Sequence, residues 1–470
     1  MNIRAFGVRL CRLAGSVAVV AVLVSATPIG ASAVAQPGVD PGALGPVLGP
    51  ASDPAPPDPT EQRSVCAEPM LSGAPPREAP IAQRVLDLPD AWQVSRGAGQ
   101  TVAVIDTGVN PHPRLSNLER GGDYVSRTDG TVDCDGHGTL VAGIIAARPG
   151  PDDGFAGVAP DATILTIRQL SLAYEAKNSG GKQPPGSIAG SGYGNVFTLA
   201  AAVVRAVDLH ATVINISEVA CAAAGTDTAD AVLGAAVKYA YDHNVVVVAG
   251  AGDLQQASAC QRQNTGTGWG AVQTVATPAW FTPYILSVAA VDPDGKPSDL
   301  SLHGPWVGVA AIGRKIVSLD SKPGGTGLVN SVQTQQGNTD IEGTSFAAPY
   351  VAGLAALVRS RFPELTAAQV IERIERTAHA PGTGRDDLIG HGLIDPVAAL
   401  TAVLPEHPGG AGLDRPHPIA APAWPSGPDP RPRRIAVIGS IICLAALGIG
   451  LAVAIPFRRR PHDQPDPNLD

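Results

Sequence analysis

The sequence predicts an α/β fold with a mostly parallel central sheet covered by helices on both faces, an N-terminal extended arm and one C-terminal transmembrane helix. Three observations carry this expectation: five short β-branched runs that alternate with helical segments, proline-dense stretches on either side of them, and a charge-free apolar run near the end of the 470 residues. Strands rich in β-branched residues and separated by helices favour parallel pairing with both faces buried. Such sheets gather their ligands at the carboxyl ends of the strands.

Residues 1–35 have the layout of a secretory signal peptide. Arg4, Arg9 and Arg12 precede an uncharged run from Leu13 to Ala26, and the small-residue sites Ala31-Ser32-Ala33 and Ala33-Val34-Ala35 place cleavage after Ala33 or Ala35. Residues 36–89 are Pro-rich with little periodicity and read as an extended arm. One domain then spans 90–404, with strand-like runs at Thr101–Ile105, Thr163–Arg168, Thr212–Ser217, Val245–Ala249 and Ile285–Val291. Between them, Leu199, Val203 and Val207 repeat at helical spacing, and Val232, Ala236 and Tyr239 share one face of a helix between Asp230 and His243. Later, "TAAQVIERIERT" opens on a Thr366/Gln369 capping box and aligns Val370, Ile374 and Thr377. The polar stretch Ala173–Asn195 reads as a surface loop. Its Gly190, Gly192 and Gly194 lack the spacing of a dinucleotide fingerprint, so no cofactor is expected.

Residues 405–434 are dense in proline and predict a stiff, extended spacer. Ile435–Phe457 carries no charge and exceeds the roughly 20 apolar residues that cross a bilayer. Arg431, Arg433 and Arg434 precede this span and Arg458, Arg459 and Arg460 follow it, so flanking charge does not set its orientation. The signal peptide does: the body is exported, the anchor passes once, and the tail 458–470 stays in the cytoplasm. Cys11 lies in the signal and Cys443 in the span, which leaves Cys66, Cys134, Cys221 and Cys260 in an oxidising compartment. Two disulfides are expected, in any of three pairings. The net charge of −9 gives no footprint for nucleic acid. No CxxC pair or Asp-rich ligand loop points to a metal, and "PDDG" at Pro151 is too short for one.

Three segments pair small residues with one reactive side chain each. In "VAVIDTGVNPHP", Asp106 follows a buried strand. In "DCDGHGTLVAGIIAA", His137 stands between glycines at the start of an apolar helix. In "IEGTSFAAPYVAGLAALV", Ser345 opens another. A serine hydroxyl needs an imidazole to take its proton, and the imidazole needs a carboxylate to fix its tautomer. A serine at a helix N-terminus also has backbone N–H groups beside any oxyanion that its attack creates.

The boxes Asp106-Thr107-Gly108, His137-Gly138-Thr139 and Gly343-Thr344-Ser345-x-Ala347-x-Pro349 resemble, in motif and order, those of the subtilisin-like serine proteases. With the signal peptide, the cysteine-bearing arm, "GGDYV…DCDGHGT", "VINISEVAC", "TPAWFTPYILSV", "HGPWVGVAA" and the C-terminal anchor, the chain is similar to the mycosins, membrane-anchored subtilases of mycobacterial type VII secretion systems. That resemblance implies a subtilisin-like peptidase domain with an Asp106, His137, Ser345 triad and disulfides Cys66–Cys134 and Cys221–Cys260. It further implies exported proteins as substrates and type VII membrane components as partners. Substrate would add as a strand along Ile216, Ser217, Glu218 and Val219 on one side and Gly250, Ala251 and Gly252 on the other. Glu218 would favour a basic or polar residue in the substrate. Subtilases place an Asn after the buried strand as an oxyanion donor, and "VVVVAGAGD" puts Asp253 there. The expectation is a protease that is slow at neutral pH, with relative activity rising as Asp253 protonates. The alternative is a structural component of the secretion complex in which proteolysis is dispensable.

Overall fold

The structure is a computed structural model that describes residues 34–48, 54–177, 187, 192–254, 260–334, 337–404 and 445–446. The chain divides into two compact units, Met1–Val403 and Leu404–Asp470. Most of the signal peptide, the spacer, the apolar run 435–457 apart from residues 445 and 446, and the tail lie outside the described residues. Among the described residues no helix is long and apolar enough to cross a membrane.

The core of the first unit is a seven-stranded parallel sheet. Its strands are β1 (Thr101–Asp106), β2 (Leu118–Asp123), β3 (Thr163–Arg168), β4 (Val213–Ile216), β5 (Val246–Gly250), β6 (Leu286–Val291) and β7 (Val307–Ile312). They lie in the order β7-β6-β5-β4-β1-β3-β2. Successive side chains of a strand point to opposite faces, and the two cores divide on that period. Val102, Val104, Val213, Val246 and Val248 join one core, whereas Ala103, Ile105, Ile214, Val247 and Ala249 join the other.

Helices α1 (His137–Ala146) and α4 (Thr344–Arg361) pack in the first core. In the second core lie α2 (Val196–Asp208) and α3 (Ala231–Asp242). Helix α4 is buried from Thr344 through Arg359, apolar nearly all round, as a helix threaded through a core must be. The reciprocal capping box of Thr366 and Gln369 starts α5 (Ala367–Thr377), whose Val370 and Ile374 are buried with Thr377 half-buried beside them.

The structure corrects the sequence reading at three places. Helix α3 buries Leu233, Ala236, Val237 and Ala240, while Val232 and Tyr239 are only half-buried, so its inward face is rotated from the one expected. Strands β2 and β7 are not among the five runs expected. The run "LERGGD" of β2 has an edge position and little apolar content, and its pattern matches no buried strand. The loop Ala173–Asn195 and the arm also acquire pairing: Thr60–Gln62 runs antiparallel to Tyr174–Ala176, and Glu68–Met70 to Ser331–Gln333.

Cys66 is bonded to Cys134, and Cys221 to Cys260. The first bridge closes a separation of 68 residues and is reinforced by a hydrogen bond from the Ala67 N–H to the Cys134 carbonyl, 2.8 Å. Replacing Cys66 and Cys134 by serine is expected to cost about 4 kcal/mol through the lost loop constraint on the unfolded chain. A fall in the urea midpoint checks this; an unchanged midpoint contradicts it.

Candidate active site

The carboxyl edge of the sheet gathers residues that are far apart in sequence. Asp106 ends β1 and is fully buried. Its Oδ1 accepts a hydrogen bond from the neighbouring Thr107 N–H, 2.7 Å, and pairs with Nδ1 of His137 at 2.8 Å. The close approach depends on Gly138, where a Cβ would lie 2.1 Å from the Gly108 carbonyl and 3.1 Å from Asp106. With Nδ1 engaged by a carboxylate, Nε2 is the nitrogen left for chemistry, and it has no hydrogen-bond partner among the described residues. Phe346, next to Ser345, packs its ring 4.8 Å from the imidazole.

The loop before His137 is held by Asp133, whose role sequence reasoning missed. One of its oxygens accepts from Thr107 Oγ1 (2.8 Å) and the Gly136 N–H (2.7 Å), the other from the Thr139 N–H (2.9 Å) and Thr139 Oγ1 (2.6 Å). Asn110 clasps the same residue through both backbone groups. Burial lifts the Asp133 carboxyl to about 6 against these donors. Its acid in "DCDGHGT" was the available signal, but only the fold reveals that it ties the Asp106 turn to the start of α1. Asp133→Ala would strand several buried donors and is expected to cost about 3 kcal/mol. Thermal unfolding tests this; an unshifted Tm contradicts it.

Ser345 is the second residue of α4, preceded by Gly343 at φ +139°, a conformation that L side chains rarely adopt. Asp253 sits against this helix start. Its Oδ1 accepts from the Thr344 N–H at 2.7 Å. Thr344 Oγ1 accepts in turn from the Gly252 N–H at 3.3 Å. The expected neighbourhood of Asp253 and Ser345 is therefore present, but Asp253 acts as an acceptor. It occupies the Thr344 N–H at the helix start instead of adding a donor. Burial raises the Asp253 carboxyl, while the hydrogen bonds from Thr344 and Ser345 lower it.

Ile216 ends β4 buried, Ser217 follows buried, and Glu218 and Val219 are half-buried at the rim. Gly250 ends β5, with Ala251 and Gly252 buried after it. The two segments leave adjacent strands, since Ile216 pairs with Ala249. A contact absent from the sequence reading also appears: Oε1 of Glu218 lies 3.6 Å from Nε2 of His137. Burial opposes the charged imidazole, but Asp106, Glu218 and Asp133 outweigh it and lift His137 to about 10.

The arrangement suits one kind of chemistry: an imidazole oriented by a buried carboxylate packs on Phe346, the residue after a serine at a helix N-terminus, and such a set of groups fits acyl transfer. No hydrogen bond joins His137 to Ser345 among the described residues. Comparison with known proteins agrees. The peptidase S8 model, described as the subtilase family, matches residues 97–392. The chain belongs to the subtilases. This subtilase, a serine endopeptidase by family, is 47% identical over 408 residues to Mycosin-4 of Mycobacterium tuberculosis, covering 85% of this chain and 87% of that one. It is 46% identical over 452 residues to Mycosin-1 of the same organism, covering 93% and 97%. Among solved structures it matches the MycP3 protease from the type VII (ESX-3) secretion system with a TM-score of 0.73 and 47% identity, over 79% of this subtilase and 100% of that chain. A chain of an intact ESX-5 inner membrane complex matches with a TM-score of 0.73 and 39% identity, over 90% and 100%. The subtilase is thus similar to mycosins over most of its length.

Proposed function

We propose that the chain is a membrane-anchored serine endopeptidase of a type VII secretion system that cleaves exported proteins on the periplasmic side. The observation that carries this reading is the 2.8 Å pair between Asp106 Oδ1 and His137 Nδ1, which leaves Nε2 outside that pair while the ring packs on Phe346 of the helix that begins with Thr344 and Ser345. Asp106 fixes the tautomer and balances the imidazolium. His137 Nε2 takes the Ser345 Oγ proton as Oγ attacks the scissile carbonyl, and returns it to the leaving amine. Asp253 makes the enzyme slow, because its carboxylate, held by the Thr344 N–H next to Ser345, sets a negative charge beside the developing oxyanion.

A mainly structural role is the second reading. It is favoured by the likeness to a chain within a secretion membrane complex, and by an arm that is stitched to the domain by a disulfide and two small sheets. The anchor 435–457 suits either role. The test for the endopeptidase is hydrolysis of a diverse peptide library by the full-length chain in detergent, compared with Ser345→Ala. Cleavage by the first and not by the second supports it, and equal background from both rejects it.

A further inference from the structure

Among the described residues, His137 is faced by acids from three segments, while α4 packs Phe346 on its ring. Asp106 approaches from β1, Asp133 from the loop before α1, and Glu218 from the segment after β4. Burial raises the Glu218 carboxyl and the His137 cation lowers it, with Asp106, Asp253 and Asp135 adding to the rise and Arg168 partly offsetting Asp135. Asp106 is fully buried and Asp133 nearly so; both are pinned by hydrogen bonds, so neither can move. Glu218 differs: its side chain is 34% exposed, and it stands on the Nε2 side of the ring, where the serine proton must arrive.

We propose that Glu218 is a second counter-ion of His137 that selects substrates with a basic side chain beside the scissile bond, because such a cation draws it off Nε2. This rests on the endopeptidase reading and names its substrate class. At rest, the Nε2 proton faces the Glu218 carboxylate, and an imidazolium cannot accept the serine proton. When a substrate ammonium or guanidinium pairs with Glu218, the imidazolium loses one counter-ion and gains a repelling neighbour, and the Nε2 proton leaves to solvent. The freed lone pair then accepts the Ser345 Oγ proton as the Oγ–carbon bond forms and the carbonyl π pair moves to oxygen. A neutral substrate leaves Glu218 in place. The exposed end of the pair thus couples recognition to the state of the base.

The experiment uses the full-length chain with labelled histidine in the Ser345→Ala background, so that no turnover is needed. The titration of His137 is followed by NMR with and without Glu218→Gln, and with peptides that differ only in Arg or Gln next to the scissile bond. Glu218→Gln is expected to lower the midpoint by about one pH unit, and the Arg peptide to lower it in the Glu218 chain only. In the active chain, Glu218→Gln is expected to move the acid limb of kcat/KM down in parallel and to reduce an Arg-over-Gln preference of at least about tenfold to near unity. A His137 midpoint unmoved by Glu218→Gln, or a midpoint that the Arg and Gln peptides shift equally, overturns the proposal. A chain that hydrolyses nothing overturns the endopeptidase reading instead, while the titration still decides the Glu218–His137 pair.

Discussion

Asp253→Asn is expected to raise kcat about 10²-fold, the scale on which one oxyanion donor matters. The carboxylate takes the Thr344 N–H at 2.7 Å, and on the proposed reading this places a negative charge beside the oxyanion where a donor is needed. An amide in its place removes the charge and can turn an N–H toward the oxyanion. The gain is read best on the alkaline side. His137, lifted to about 10, becomes a free base only as pH rises toward that value, so kcat/KM should climb between roughly 7 and 10 in both proteins. The same raised value means that the stabilisation from the charged ring is complete below about 6.5 and is lost as pH rises through about 10. Lowering the pH to protonate Asp253 therefore also disables the base, which removes the benefit expected from protonation alone. Equal kcat for the parent chain and for Asp253→Asn across this range would contradict the blocked oxyanion site.

Ser345→Ala carries the largest expected loss, about 10⁶-fold in turnover, because removal of a nucleophile leaves only binding and any oxyanion contribution. The fold should be unaffected, since Ser345 lies at a helix start whose geometry is set by Gly343 and Asp253. That separation makes the variant informative in cells. If Ser345→Ala restores secretion to a deletion strain, the structural role dominates. If secretion stays lost, hydrolysis is the required function.

Much of the site was legible because its residues sit in short boxes at the ends of regular elements. Asp106 follows the alternating run of β1, and His137 and Ser345 each open a long apolar helix. Local pattern put Asp106 at the carboxyl edge of the sheet and His137 and Ser345 at helix starts, and the resemblance of the three boxes to those of the subtilases joined them into one site. The nearness of Asp253 to the start of α4 was expected from the resemblance, but its role as an acceptor was not, nor was the Glu218–His137 contact, which joins different boxes through the juxtaposition of β4 and the start of α1. The same holds for the fold: Glu68–Met70 pairs with Ser331–Gln333, far along the chain, a partnership with no local signature. Strand β2 escaped because an edge strand with Gly121 and Gly122 needs little apolar alternation.

The central claim is that Ser345 is a nucleophile activated by His137 and Asp106. Labelling the full-length chain with a fluorophosphonate and mapping the adduct by mass spectrometry tests it most directly, with Asp253→Asn alongside. A single adduct is expected on Ser345 in both, forming faster in Asp253→Asn and absent from Ser345→Ala. No adduct on Ser345 in either protein, or one that survives Ser345→Ala, would contradict it.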